Sequence, residues 1–281
     1  MFFWRRKPRI HYYAPAWNEE LMLPFLFRHY APWVERFVIY DSDSTDGSVE
    51  LLQRTPNVEI RKVPWVHPDS MIATLQALHN SCWKESRGAA DWVIVADIDE
   101  FLYHPDFLGY LRRSKKRGVT CIPALGYEMV SDHFPGPNEV LVSTIRRGVP
   151  HRMMNKLRLF DPNAVEETNF GPGGHEAKPT GRIVYPRRDR MLLLHYKSLG
   201  ADYLVRRNAM METTRRARDI EKNWSHHYRT PAAEIEAGIK STLAASVDVI
   251  AAGKAAWRIP RAGRWWRRRN QPTGPAQQGT T

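Results

Sequence analysis

The stretch from Asp91 to Phe101 constrains this chain most: an apolar run, Trp92 to Ala96, ends at once in the acids Asp97, Asp99 and Glu100. The run is short and rich in β-branched residues, which predicts a buried strand. Carboxylates are rarely buried unless paired or bound to metal. Three of them at the carboxyl end of a strand therefore point to a rim where a hard cation meets a ligand. Open α/β sheets bind ligands at such rims. The plainer alternative is a strand running into a solvated acidic turn with an Asp capping the next helix.

The segments before this stretch alternate. Ile10 to Ala14 reads as a first strand, and Asn18, Glu19 and Glu20 signal a helix start ahead of Leu21 to Tyr30, with Pro24 in the first turn. Arg36 to Tyr40 is a second strand, Val49 to Gln53 a helix, Val58 to Val63 a third strand and Ser70 to Lys84 a helix. Four strand-helix alternations predict a mostly parallel sheet flanked by helices. Beyond Phe101 the spacing predicts a helix over Asp106 to Lys115 and strands at Val119 to Pro123, Tyr127 to Val130, Lys156 to Phe160 and Met191 to Leu194. Between the last two strands lies the glycine-rich turn Gly171 to His175. Ala201 to Glu221 and Pro231 to Ala252 read as long helices. The expected organisation is a catalytic domain over 1–200, a helical extension over 201–258 and a basic flexible tail over 259–281.

Charge is distributed in the same way. Residues 1–200 carry 27 Lys and Arg against 23 Asp and Glu, whereas residues 201–281 carry 15 against 7. The front is near balance and the excess lies in the tail, which argues against a fold built for specific nucleic-acid recognition. In the tail Trp257, Trp265 and Trp266 are interleaved with arginines, a composition suited to peripheral contact with an anionic membrane. Two cysteines without metal-site spacing, no apolar run long enough for a bilayer and charges placed after the first apolar residues lead to the expectation of a cytoplasmic protein.

The acidic segment Asp41 to Ser48 admits three readings. Asp41-x-Asp43-x-Thr45 after an apolar strand matches the nucleophile loop of a haloacid-dehalogenase-like phosphatase, with Asp41 attacking phosphorus. A calcium loop fails, because Gly47 falls at the seventh position instead of the sixth. The third reading is a strand-end acid, Asp41, followed by a capped turn, with Asp41 free to accept a hydrogen bond from a nucleotide base. Lys156 and Arg158 alternate on one strand and so share a face that could meet a diphosphate. His175 and Glu176 in the glycine turn, and Asp132 with His133, are candidate proton acceptors.

Three blocks in order, Tyr13 to Glu20, Ile39 to Ser48 and Asp97 to Phe101, closely resemble the family 2-like glycosyltransferases of the GT-A fold. The resemblance covers about residues 9 to 200. It implies a nucleotide-diphospho-sugar transferase with a GT-A-like α/β sheet, moving a sugar from a UDP- or GDP-sugar to a hydroxyl acceptor, saccharide or glycolipid, with inversion. It implies that Pro15, Asn18, Glu19, Asp41 and Asp43 hold the nucleoside, that Asp97 lies by the ribose, and that Asp97, Asp99 and His195 bind a divalent Mn²⁺ or Mg²⁺. The sequence departs from simpler members of that family in lacking an obvious Glu-Asp pair for the base, which leaves Glu176, His175 and Asp132 as candidates. Two other classes remain: the phosphatase, and a non-catalytic protein with a degenerate pocket whose tail binds membrane or nucleic acid.

Overall fold

The computed structural model describes residues 7–187 and 191–256. Within it the expected alternation runs β1 (Ile10–Ala16), α1 (Leu23–Tyr30), β2 (Arg36–Asp41), α2 (Ser48–Arg54), β3 (Val58–Lys62), α3 (Met71–Ser81) and β4 (Trp92–Val95). There follow β5 (Glu100–Tyr103), α4 (Phe107–Lys116), β6 (Cys121–Ser131), α5 (Leu141–Thr144), β7 (Arg147–Pro150), β8 (Leu157–Phe160) and β9 (Met191–Leu199). The last elements are α6 (Ala201–Glu212), α7 (Ala217–Glu221), α8 (Ala232–Ala245), β10 (Val247–Asp248) and α9 (Val249–Ala256). The Trp/Arg tail lies outside the described residues.

Strands lie in the order β10-β7-β6-β8-β4-β1-β2-β3, with β9 joining β5 to β6. β3, β2, β1 and β4 are parallel, and β8 runs antiparallel between β4 and β6. This parallel block with an antiparallel continuation is a mixed α/β sheet. Its central strands are apolar on both faces because both faces are covered. Tyr12 and Ala14 of β1 join Ile94 of β4 and Ile39 of β2 in one core, while Tyr13, Val95 and Val38 join a second core on the opposite face.

The helix signals act locally. The Ser70 hydroxyl accepts from Ala73 N (2.9 Å) to start α3, and Asp106 accepts from Gly109 N (3.1 Å) to start α4. Pro24 sits in the first turn of α1, where its missing N–H leaves nothing unpaired.

Four expectations need correction. The segments Val119 to Pro123 and Tyr127 to Val130 are one strand, β6. It changes partner from β8 to β9 and β7 at a register shift by Pro123, and Gly126 lets it pass Met154, whose backbone would lie 2.2 Å from an added Cβ. A strand over Glu100–Tyr103 was not expected; it forms because β9 offers a pairing edge. The single helix over 201–221 is broken: the Thr213 and Thr214 hydroxyls donate back to Met210 O and Met211 O (both 2.7 Å), and Arg216 is extended at the start of α7. The helix over 231–252 ends at Ala245, where Arg147 takes Ser246 Oγ (2.8 Å) and Ser246 O (2.9 Å) and draws Val247 and Asp248 against β7.

One buried carboxylate pins α7 to the sheet domain. Asp219 accepts from Ser70 Oγ (2.5 Å), Met71 N (2.9 Å) and Arg216 N (3.2 Å). Asp219→Ala leaves these donors unsatisfied and should cost about 3 kcal/mol, read as a lower midpoint in chemical denaturation. Asp219→Asn, which keeps an acceptor, should lose less.

Candidate active site

Parallel strands present their carboxyl ends on one edge, and the three sequence blocks lie there. Ala16 at the end of β1 is in register with Asp41 of β2, and Tyr13 with Val95 of β4. Asp41 and the acidic turn after β4 are thus separated by one intervening strand, a span of about 10 Å across the sheet.

The loops after β1 and β2 interlock. Asn18, left-handed at φ 53°, accepts from Thr45 N through Oδ1 (2.7 Å) and donates its own N–H to Ser44 Oγ (3.0 Å). Glu19 N donates to Ser48 Oγ (2.8 Å), and Glu20 accepts from Gly47 N (2.8 Å). Pro15 continues β1 opposite Tyr40. Asp41 is 1% exposed; its two oxygens accept from Ser44 N and Asp43 N (3.1 Å each) and from Lys62 Nζ (2.9 Å). Burial alone would raise its pKa, but the hydrogen bonds from Ser44 and Lys62 outweigh that and hold it below the usual carboxylate range. Asp43 is exposed and shares Lys62 at 2.7 Å. The segment is therefore the capped turn: Asp41 takes one donor on Oδ1 and two on Oδ2.

The acidic turn divides its side chains between two directions. Glu100 is fully buried, with Lys156 Nζ 2.6 Å from Oε1 and Arg158 Nε 2.6 Å from Oε2. Arg158 Nη2 also reaches Asp97 Oδ2 at 3.0 Å. Lys156 and Arg158 do share a face, as alternation predicts, but that face lies under the turn and both side chains are buried against its acids, so neither head is open to a diphosphate. Burial would raise the Glu100 carboxyl; Arg158 and Lys156 reverse this and hold it far below its usual range. Asp97 is pushed up, by burial and by the Glu100 charge.

Asp99 points the other way. His195 Nε2 and Arg207 Nη2 each lie 3.6 Å from its Oδ2. His195 is opposite Glu100 in β5 and opposite Glu128 in β6, and its Nδ1 donates to Glu128 Oε2 at 2.6 Å. A carboxylate can only accept, so Glu128 fixes the proton on Nδ1 and leaves Nε2 facing Asp99. Burial lowers the His195 pKa, but Glu128 and Asp99 together raise it above the ordinary histidine value. Arg207 of α6 also clasps Glu19 with both terminal nitrogens (3.0 and 2.7 Å).

Among the described residues no three His, Cys, Asp or Glu side chains form a metal cluster, so the expected ligand set of Asp97, Asp99 and His195 does not assemble. Asp97 turns to Arg158 instead. Asp99 and His195 do meet, and one carboxylate plus one imidazole held by a second carboxylate is a donor set that suits Mn²⁺ or Mg²⁺ when phosphate oxygens and water supply the rest.

The proton-acceptor candidates lie in two different loops. Gly173 O accepts from Lys156 Nζ (2.9 Å) and Arg158 Nη2 (3.2 Å), which seats the glycine turn on the acidic network. Gly174, at φ 63°, lies so close that an added Cβ would be 2.5 Å from Arg158 Nη1. In this turn His175 bonds Met153 O through Nδ1 (2.9 Å), with burial and then Lys156 lowering its pKa to about 4, and Glu176 is exposed. Asp132 forms an exposed pair with His133 at 2.6 Å beyond the end of β6.

Sequence reasoning missed Glu128 and Arg207. Glu128 had a signal, an acid inside the apolar strand segment Tyr127 to Val130; Arg207 had none, being one of many arginines on a polar helix.

Residues 10–129 match the family model Glycosyltransferase family 92. Two plant proteins are similar in sequence. Glycosyltransferase family 92 protein At1g27200 of Arabidopsis thaliana is 36% identical over 97 residues, 32% of this chain and 15% of that protein. Glycosyltransferase family 92 protein Os08g0121900 of Oryza sativa subsp. japonica is 25% identical over 174 residues, 58% of this chain and 29% of that protein. The chain spans less than a third of the length of either. A solved structure, glucosyl-3-phosphoglycerate synthase from Mycobacterium tuberculosis in complex with Mn²⁺, UDP-glucose and phosphoglyceric acid, is 16% identical, covers 59% of this chain and 61% of that one, and has a TM-score of 0.34. The likeness in sequence is to glycosyltransferases, and the family model that matches is 92 where the motifs suggested family 2.

The Glu100 network gives a pH signature. Its carboxyl is depressed in the fold, so its stabilisation is complete above about pH 4.3 and is lost progressively as pH falls towards the lowered value. Glu100→Gln leaves two buried cations short of a counter-charge and should cost about 3–5 kcal/mol at pH 7. In denaturation curves the gap to the unmodified protein should narrow below about pH 4.

Proposed function

We propose that this chain is a metal-dependent glycosyltransferase that moves a sugar from a nucleotide-sugar donor, a UDP- or GDP-sugar, to the hydroxyl of a saccharide or glycolipid. The observation that carries this reading is the meeting of Asp99 with His195 Nε2, oriented by Glu128, on the same sheet edge as the interlocked loops that bear Asn18, Glu19 and Asp41. The family 92 match over residues 10–129 supports it.

In this reading the loops after β1 and β2 form the nucleoside side, and the acidic turn with β9 forms the diphosphate side. Mn²⁺ or Mg²⁺ held by Asp99 and His195 would supply positive charge to the departing diphosphate. Arg207 holds Glu19 and flanks Asp99, so the first loop and the metal carboxylate keep one spacing. The proton from the acceptor hydroxyl is assigned to the Gly171 to Glu176 turn, because Lys156 and Arg158 fasten that turn beside Asp97, whereas Asp132 lies in an exposed ion pair. Inversion belongs to the same proposal, as the outcome of direct attack by the hydroxyl on the anomeric carbon. A cytoplasmic location with the Trp/Arg tail against an anionic membrane is proposed from composition alone.

Two measurements test the reading. With Mn²⁺ present, UDP or GDP should raise the melting temperature of the protein, and Asp99→Asn should abolish that shift while leaving the ligand-free melting temperature in place. Glu128→Gln should weaken Mn²⁺ binding by about 10- to 100-fold, because the imidazole loses its fixed orientation. An unchanged shift in Asp99→Asn refutes the metal role. For the base, Glu176→Gln and His175→Asn are compared: one of them should lower turnover by about 100-fold or more at unchanged nucleotide affinity, and full activity in both removes the turn from the chemistry.

A further inference from the structure

The cations described around the acidic turn are committed to carboxylates, with one exception. Lys156 and Arg158 hold Glu100 and Asp97, Arg207 holds Glu19, and Lys62 bridges Asp41 and Asp43. Lys197 alone among them has no carboxylate partner, and its ammonium lies 5.3 Å from the centroid of the Tyr228 ring. It is half-buried.

The backbone explains where it points. Glu128 of β6 lies opposite His195, but Val130 lies opposite Ser198, so β9 carries one extra residue over this interval and the pleat is interrupted. Tyr196 turns into the core and donates to Ile145 O (3.3 Å). His195 and Ser198 both bond Glu128, at 2.6 and 2.8 Å. Lys197 is the residue between, and the charges that act on its ammonium are those of Glu128, Asp99, Arg207 and Lys156. Lys197, two residues past His195, shares its side of the strand by alternation, and the extra residue brings Ser198 to that side as well.

A half-buried cation without a counter-ion is costly, and the cost falls when a ligand brings the anion. The glycosyl-transfer reading, on which this inference rests, supplies one. When the bond between the anomeric carbon and the β-phosphate oxygen breaks, the electron pair stays on that oxygen. The acceptor oxygen forms the new bond to the carbon and gives its proton to the enzyme's base. Negative charge thus grows on the β-phosphate, next to Asp99, whose neighbours His195 and Arg207 already face its carboxylate.

We propose that Lys197 is a catalytic residue of this transfer, its ammonium binding the β-phosphate of the donor and stabilising the diphosphate as it leaves. A lysine suits this task as a compact point charge, and the Tyr228 face holds it in place before the ligand arrives.

The test is calorimetric and uses the full chain with Mn²⁺, titrated with UDP, UMP, GDP and GMP. In Lys197→Met the affinity for the diphosphate that the unmodified protein prefers should fall by about 10- to 100-fold, that for the matching monophosphate should change by less than about threefold, and Lys197→Arg should recover most of the loss. Melting temperatures of both variants should stay near that of the unmodified protein. Equal diphosphate affinity in Lys197→Met and the unmodified protein overturns the role of Lys197 alone, as does an equal loss for monophosphate and diphosphate. If the unmodified protein binds neither diphosphate, the glycosyl-transfer reading fails and the inference fails with it.

Discussion

A fully buried carboxylate gripped by two buried cations holds the functional edge of this protein together. Glu100 meets Lys156 and Arg158 at 2.6 Å each, and none of the three has water to fall back on. Isolated charges in such a place cost several kcal/mol each, so the three are stable only as a set. That requirement reaches beyond the pair distances. It docks β8 onto the turn that follows β4, brings the Gly171 to His175 turn down through Gly173 O, and leaves space at Gly174 for the guanidinium of Arg158 and for nothing larger than hydrogen on the glycine.

The same network sorts the acids of the turn by task. Asp97 and Glu100 face the internal cations, and Asp99 faces His195 and Arg207. A cluster that looks uniform in sequence is therefore divided between two sets of partners. His195 is equally two-sided: Glu128 accepts the hydrogen bond from its Nδ1 and so decides that Nε2 is the atom that faces Asp99. Arg207 then connects the helices after β9 to the loop after β1, and the site is complete only when residues separated by 188 positions, Glu19 and Arg207, are in contact.

Much of this was written in the sequence. Apolar runs of four to seven residues separated by amphipathic segments fixed the parallel block, because a strand covered on both faces must be apolar on both. Ser70, Asp106 and Pro24 marked helix starts through bonds that close within three or four residues, and the acids at the tips of β2 and β4 lay at the edge where parallel strands present their carboxyl ends. At Ala201 to Glu221 a helical composition was outweighed by the Thr213 and Thr214 hydroxyls and by the long-range anchor of Asp219.

What the sequence by itself determined is therefore the alternation, the sheet class and the three ordered motifs, all of which depend on neighbours close in the chain. Only the tertiary structure decided which cation neutralises which acid, that Lys156 and Arg158 are buried under the turn, that Glu128 orients His195, and that Lys197 lies against the Tyr228 ring. Charge pairing acts through space and follows distance and burial, and neither quantity is encoded in the order of residues until the strands have been laid side by side.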